Sequence, residues 1–87
     1  MTVAYRLATE TAEPLRVFDA RSVSRRLRHE IVYEALDKLP PGATFRYVGT
    51  YYPIGLMEQL VHRYEGRLTR RFVEVGADRV VIDLALD

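Results

Sequence analysis

The chain of 87 residues contains no cysteine. Disulfides, thiolate metal ligands, thiol nucleophiles and persulfide carriage are thereby excluded together. Lysine is nearly missing as well, Lys38 standing alone against twelve arginines. That imbalance has two readings, planar anion recognition by guanidinium forks or, more commonly, the base composition of the source genome. No apolar run approaches the roughly 20 residues of a membrane span. The opening MTVAYRLATET has neither the basic stretch nor the apolar core of a signal peptide. A soluble cytoplasmic protein with no membrane partner is the expectation. A one-sided charge is lacking too: the formal net charge is +1, so any basic site has to be local rather than a field of the whole surface.

What is present suits a folded chain. Hydrophobic residues make up 48% and charged residues 29%, which argues against disorder. A chain of this length forms one domain that buries roughly 60–65% of the surface of its unfolded form. Residues 1–13 alternate at Val3, Tyr5 and Leu7 before turning polar, which predicts an N-terminal arm or a short edge strand. The single domain is expected over 14–87.

Within it, LRVFDA from Leu15, closed by Asp19, predicts a first strand, and Ser22 or Ser24 can cap a helix. From Arg25 onward Ile31, Val32, Ala35, Leu36 and Leu39 recur at helical spacing, opposite Glu30, Glu34 and Asp37. Pro40 and Pro41 stop that helix and Gly42 permits the turn. TFRYVG predicts a second strand. Pro53 suits the first turn of a second helix whose core side is Leu56, Met57, Leu60 and Tyr64, ending at Gly66. RLTRRFVEV and RVVIDLAL, separated by GAD, predict an antiparallel hairpin with a three-residue connection. Val80, Ile82, Leu84 and Leu86 alternate with Val81, Asp83 and Ala85, so one face of the last strand is expected to be buried and the other partly wet.

The expected class is therefore α+β, a two-layer α/β sandwich of order βαβαββ with both helices on one face of a four-stranded mixed sheet. Each helix then begins near the carboxyl end of the strand before it. Two helix starts share one edge, where open α/β sheets commonly bind ligands.

Read on that architecture, LRHEIVYEALDKLPPGATFRYVGTYYPIGLMEQL resembles the domain of unknown function 2249, a family related to the TusA/SirA sulfur-carrier fold. The resemblance runs from about Leu15 to Leu86. Its most specific part is Arg28 and His29 entering a helix of Ile31-Val32-Tyr33 type, followed by Pro41-Gly42, a strand, and a short loop into Pro53 and Leu56. It implies the TusA-like sandwich and, through relatives joined to hemerythrin-like domains, a setting in nitrogen-oxide or redox metabolism. It implies no known reaction. Sulfur carriers of the related family hold a Cys near the start of the first helix, where this chain reads SVSRRLRH. The resembled family has an Asp-His-x-Pro type sequence before the second helix, where this chain has Thr50-Tyr51-Tyr52-Pro53. That departure removes the second histidine of any intrachain two-histidine site.

Four arginines and a histidine at a helix start oppose the helix dipole, whose positive end lies there. One reading has Arg25 and Arg28 covering the sheet edge with their stems and pairing with Asp19 or neighbouring carboxylates, His29 being a packing or capping residue. The other has Arg25, Arg28, His29 and the hydroxyls of Tyr51 and Tyr52 forming a pocket for an anion, together with the free amides of both helix starts. A metal or haem reading rests on His29 alone, since His62 points away from the core side of its helix. No Ser/His/Asp spacing, paired carboxylates or phosphate-binding glycine loop points to an enzyme. An RNA-binding reading would use Arg46, Arg63, Arg67, Arg70 and Arg71 with Tyr47 and Phe72. The first choice is a non-enzymatic binding or accessory module, without cofactor. Its expected partner is a small anion or a protein, including a hemerythrin-like or redox protein through the resemblance, and a homodimer stays open.

Overall fold

The computed structural model describes residues 15–87; the arm or edge strand expected over 1–13 lies outside the described residues. Six elements follow in the order expected: β1 (Leu15–Asp19), α1 (Arg25–Asp37), β2 (Thr44–Gly49), α2 (Ile54–Tyr64), β3 (Leu68–Val75) and β4 (Val80–Leu86). The four strands form one mixed sheet of order β1-β2-β4-β3. β1 runs parallel to β2, while β4 is antiparallel to both β2 and β3.

Alternation along the two central strands decides which face is covered. Phe45 and Tyr47 of β2 and Val80, Ile82 and Leu84 of β4 share one buried cluster with Val32 and Leu36 of α1 and with Leu56, Met57, Leu60 and Tyr64 of α2. Both helices therefore cover the same face. Across the sheet, Val48 and Val81 are directly paired and also buried, so the second face is drier there than alternation suggests. Beside them Arg46 makes a bidentate ion pair with Asp83, at 2.7 and 3.0 Å.

The helix ends are fastened by side chains. Ser24 is the N-cap of α1, its hydroxyl accepting from the Leu27 amide at 3.4 Å. Asp37, the last residue of α1, accepts from the Tyr64 hydroxyl at 2.6 Å and from Arg63 at 2.8 Å, tying it to the end of α2. Pro53 precedes α2 as its cap residue, and the helix ends through Glu65 and Gly66, both with positive φ.

Two details of the hairpin differ from expectation. The β3–β4 connection has four residues, Gly76 to Arg79, and is closed by the Gly76 amide donating to the Arg79 carbonyl at 2.8 Å. Phe72 pairs with Ile82 and Glu74 with Val81, which leaves Val73 as an extra residue in a β-bulge. No helix of the described residues is long and apolar enough to cross a membrane.

Candidate functional site

β1 and β2 are parallel, so their carboxyl ends lie at the same edge, and the chain turns from each into a helix start. The turn between β3 and β4 lies there too, since Gly49 pairs with Val80 and Val80 with Val75. Between the two helix starts is a cavity of about 280 Å³. Arg25, Arg28 and His29 line it from α1, and Tyr51, Tyr52, Pro53, Ile54, Gly55 and Leu56 from the loop and start of α2. All five residues that the sequence singles out for a pocket, Arg25, Arg28, His29, Tyr51 and Tyr52, lie around this one space.

Tyr47 lines it as well, and sequence reasoning assigned it only to a strand and to an RNA-binding surface. Its ring extends along β2 over Gly49: a Cβ placed on Gly49 would meet the ring's Cε1 at 2.8 Å. Tyr47 is completely buried, yet its hydroxyl has no hydrogen-bond partner, and neither does the buried Nε of Arg28. The hydroxyls of Tyr47 and, to a smaller extent, Tyr51 push the Arg28 pKa further up, against the opposing effect of burial. Neither contact has the geometry of a full hydrogen bond, so proximity favours the cation without satisfying it. Arg28 also lies over the Tyr51 ring, 5.9 Å from its centroid.

The charge pattern is one-sided. Neither helix has an acidic residue in its first turn, and no acidic residue lines the cavity. Among the described residues, the amides of Arg25 and Arg26 in α1 and of Gly55 and Leu56 in α2 have no hydrogen-bond partner. Arg25 reaches across to the start of α2, where a Cβ on Gly55 would be in ordinary contact with its Nη2 at 3.9 Å. Asp19, which could have neutralised this cluster, is engaged by Arg21 instead, through Nε at 2.9 Å, Nη2 at 2.7 Å and the backbone amide at 3.1 Å. Those bonds, the side-chain ones foremost, lower the Asp19 pKa to about 2. No carboxylate of the described residues forms an ion pair with Arg25 or Arg28.

The other candidates are placed differently. His29 packs edge-on against Tyr33 at 6.3 Å, and among the described residues no three His, Asp or Glu side chains come together in a group able to hold a metal ion. The arginines of the RNA-binding reading do not share a face. Arg46 and Arg71 flank Asp83 on the side away from the helices, whereas Arg70 lies in register with core residue Leu84 and donates to the Tyr52 hydroxyl. Arg63 is paired with Asp37, and Arg67 reaches the Asp87 carbonyl.

Compared with known proteins, residues 17–85 match the family described as an uncharacterized conserved protein, DUF2249. No curated protein and no solved structure matches the chain.

Proposed function

We propose that this chain, which belongs to the DUF2249 family over residues 17–85, is a binding module that takes a small anion between the starts of α1 and α2. The observation that carries this reading is the pair of buried, unpartnered groups on two residues that line the cavity, the Tyr47 hydroxyl and the Arg28 Nε. An orphaned buried polar group costs roughly 1–3 kcal/mol. An anion accepting from both would remove that cost, and the unpartnered amides of α2 supply further donors along the helix dipole. The lining supports anion binding through the donors it offers, guanidinium groups, an imidazole and phenols, with no carboxylate among them to repel a negative charge.

The same reading places the fold with the TusA/SirA type, supported by the order βαβαββ with both helices on one face. Without cysteine the chain cannot carry a persulfide, and an anion takes the place of that chemistry at the same helix start. The proposed setting in nitrogen-oxide or redox metabolism rests on the family resemblance.

Thermal unfolding of wild type and Arg28→Gln with and without phosphate or sulfate tests the site. An anion present at about 100 times its Kd stabilises the folded state by about 2.7 kcal/mol. The expected result is a stabilisation of wild type that shrinks in the variant, whose stability without anion is unchanged or slightly raised. A destabilised variant with an undiminished anion response would overturn the proposal.

A further inference from the structure

The anion cavity does not end at the helix start. A second cavity of about 480 Å³ adjoins it, and Tyr52 and Ile54 belong to the walls of both. Ile54, Met57 and Val61 recur at i, i+3 and i+7 of α2 and give it an apolar strip, Met57 being one of the residues that α2 turns into the core, while Glu58, His62 and Arg70 line it as well. Ile54 is 62% exposed and Val61 42%, so the two ends of this strip are uncovered among the described residues, with Met57 buried between them. Tyr52 forms a fixed wall, its ring 5.7 Å from that of Phe72 and its hydroxyl accepting from Arg70 at 3.3 Å. A groove with an apolar strip that opens from a cationic end has the shape of one kind of ligand.

We propose that the two cavities hold a single amphipathic anion, a carboxylate or phosphate head carrying a slender aliphatic body. This rests on the anion site proposed above. The head lies between Arg28 and Tyr47, and the body runs past Tyr52 along Ile54, Met57 and Val61. From Ile54 to Val61 the helix rises about 10 Å, the length of an extended chain of roughly eight carbons.

Calorimetric titration of the whole chain with inorganic phosphate, acetate, hexanoate and decanoate, each below micellar concentration, tests it. Affinity should rise about two- to fourfold per methylene, the range for a chain partly to fully removed from water. Val61→Gln, at an exposed position, should flatten that dependence at the longer chains and leave acetate and phosphate unchanged. Arg28→Gln should weaken every carboxylate by a similar factor and keep the slope. If phosphate and acetate bind but decanoate binds no better than acetate, the groove is overturned and the anion site stands. If no anion of any length binds, both proposals fall. Binding to phosphatidylglycerol vesicles without binding to free decanoate also overturns a soluble single-chain ligand.

Discussion

The ring of Tyr47 occupies the space that a side chain on Gly49 would need. The two residues lie on the same face of β2, and a Cβ on Gly49 would sit 2.8 Å from Tyr47 Cε1 and 3.4 Å from the Tyr51 carbonyl oxygen. The glycine is what lets a buried tyrosine reach past the end of its strand to the cavity.

Gly49→Ala should therefore displace the ring. The contact is with a packed aromatic on one side and backbone on the other, so neither yields easily, and a loss of about 1–3 kcal/mol is expected from overpacking. Urea denaturation measures the loss. Phosphate-induced stabilisation should fall in the same variant, because the hydroxyl moves with the ring.

Tyr47→Phe separates the hydroxyl from the ring. Removing an unpartnered buried hydroxyl should leave stability unchanged or raise it by about 1 kcal/mol, while phosphate binding weakens. Chemical denaturation and calorimetry on one preparation give both values. A large destabilisation would mean that the hydroxyl has a partner in the folded protein and is not held for a ligand.

On the other side of the sheet, Asp83→Ala should cost about 1–2 kcal/mol. The pair with Arg46 is bidentate but only partly buried, with side-chain exposures of 30% for Arg46 and 12% for Asp83. A double-mutant cycle with Arg46→Ala isolates the coupling. Anion binding should be untouched, since these residues face away from the cavity.

Acid should weaken the fold through two carboxylates. Arg21 lowers the Asp19 pKa to about 2, and the Tyr64 hydroxyl, then Arg63, lower that of Asp37. A depressed folded-state pKa gives stability that is present above the ordinary carboxylate value of about 4 and lost as pH falls through the folded value. Denaturation midpoints should decline from pH 5 toward pH 2, and less steeply in Asp37→Asn. Both carboxylates are well exposed, so salt should shrink the effect.

Much of this is legible in the sequence. The spacing of Val32 and Leu36 and of Leu56, Met57 and Leu60 marked the covered sides of both helices, and the order of elements alone put two helix starts at one edge. Tyr47 is placed only on the second strand and on an RNA-binding surface, because beside Arg46 the strand pattern does not tell which face its ring takes. The available signal was local: a tyrosine followed at i+2 by a glycine on the same strand face. The partner of Asp19 was equally hidden. Arg21 wins through proximity along the chain, closing a turn that also uses its own amide, whereas helical geometry makes Arg25 and Arg28 look just as available. The bulge at Val73 leaves no mark in the alternation of β3, because an extra residue changes the pairing without changing the composition.

That bulge also bears on how copies of the chain behave in a crowded solution. β3 is an eight-residue strand at the edge of the sheet, with Phe72, Val73 and Val75 exposed, and such an edge is a template on which a foreign strand can extend the ladder. One surplus residue near its middle interrupts the repeat of donors and acceptors and sharpens the local twist. An incoming strand can match the ladder on one side of Val73 but not continuously across it, so the irregularity serves as a guard against fibrous polymerisation.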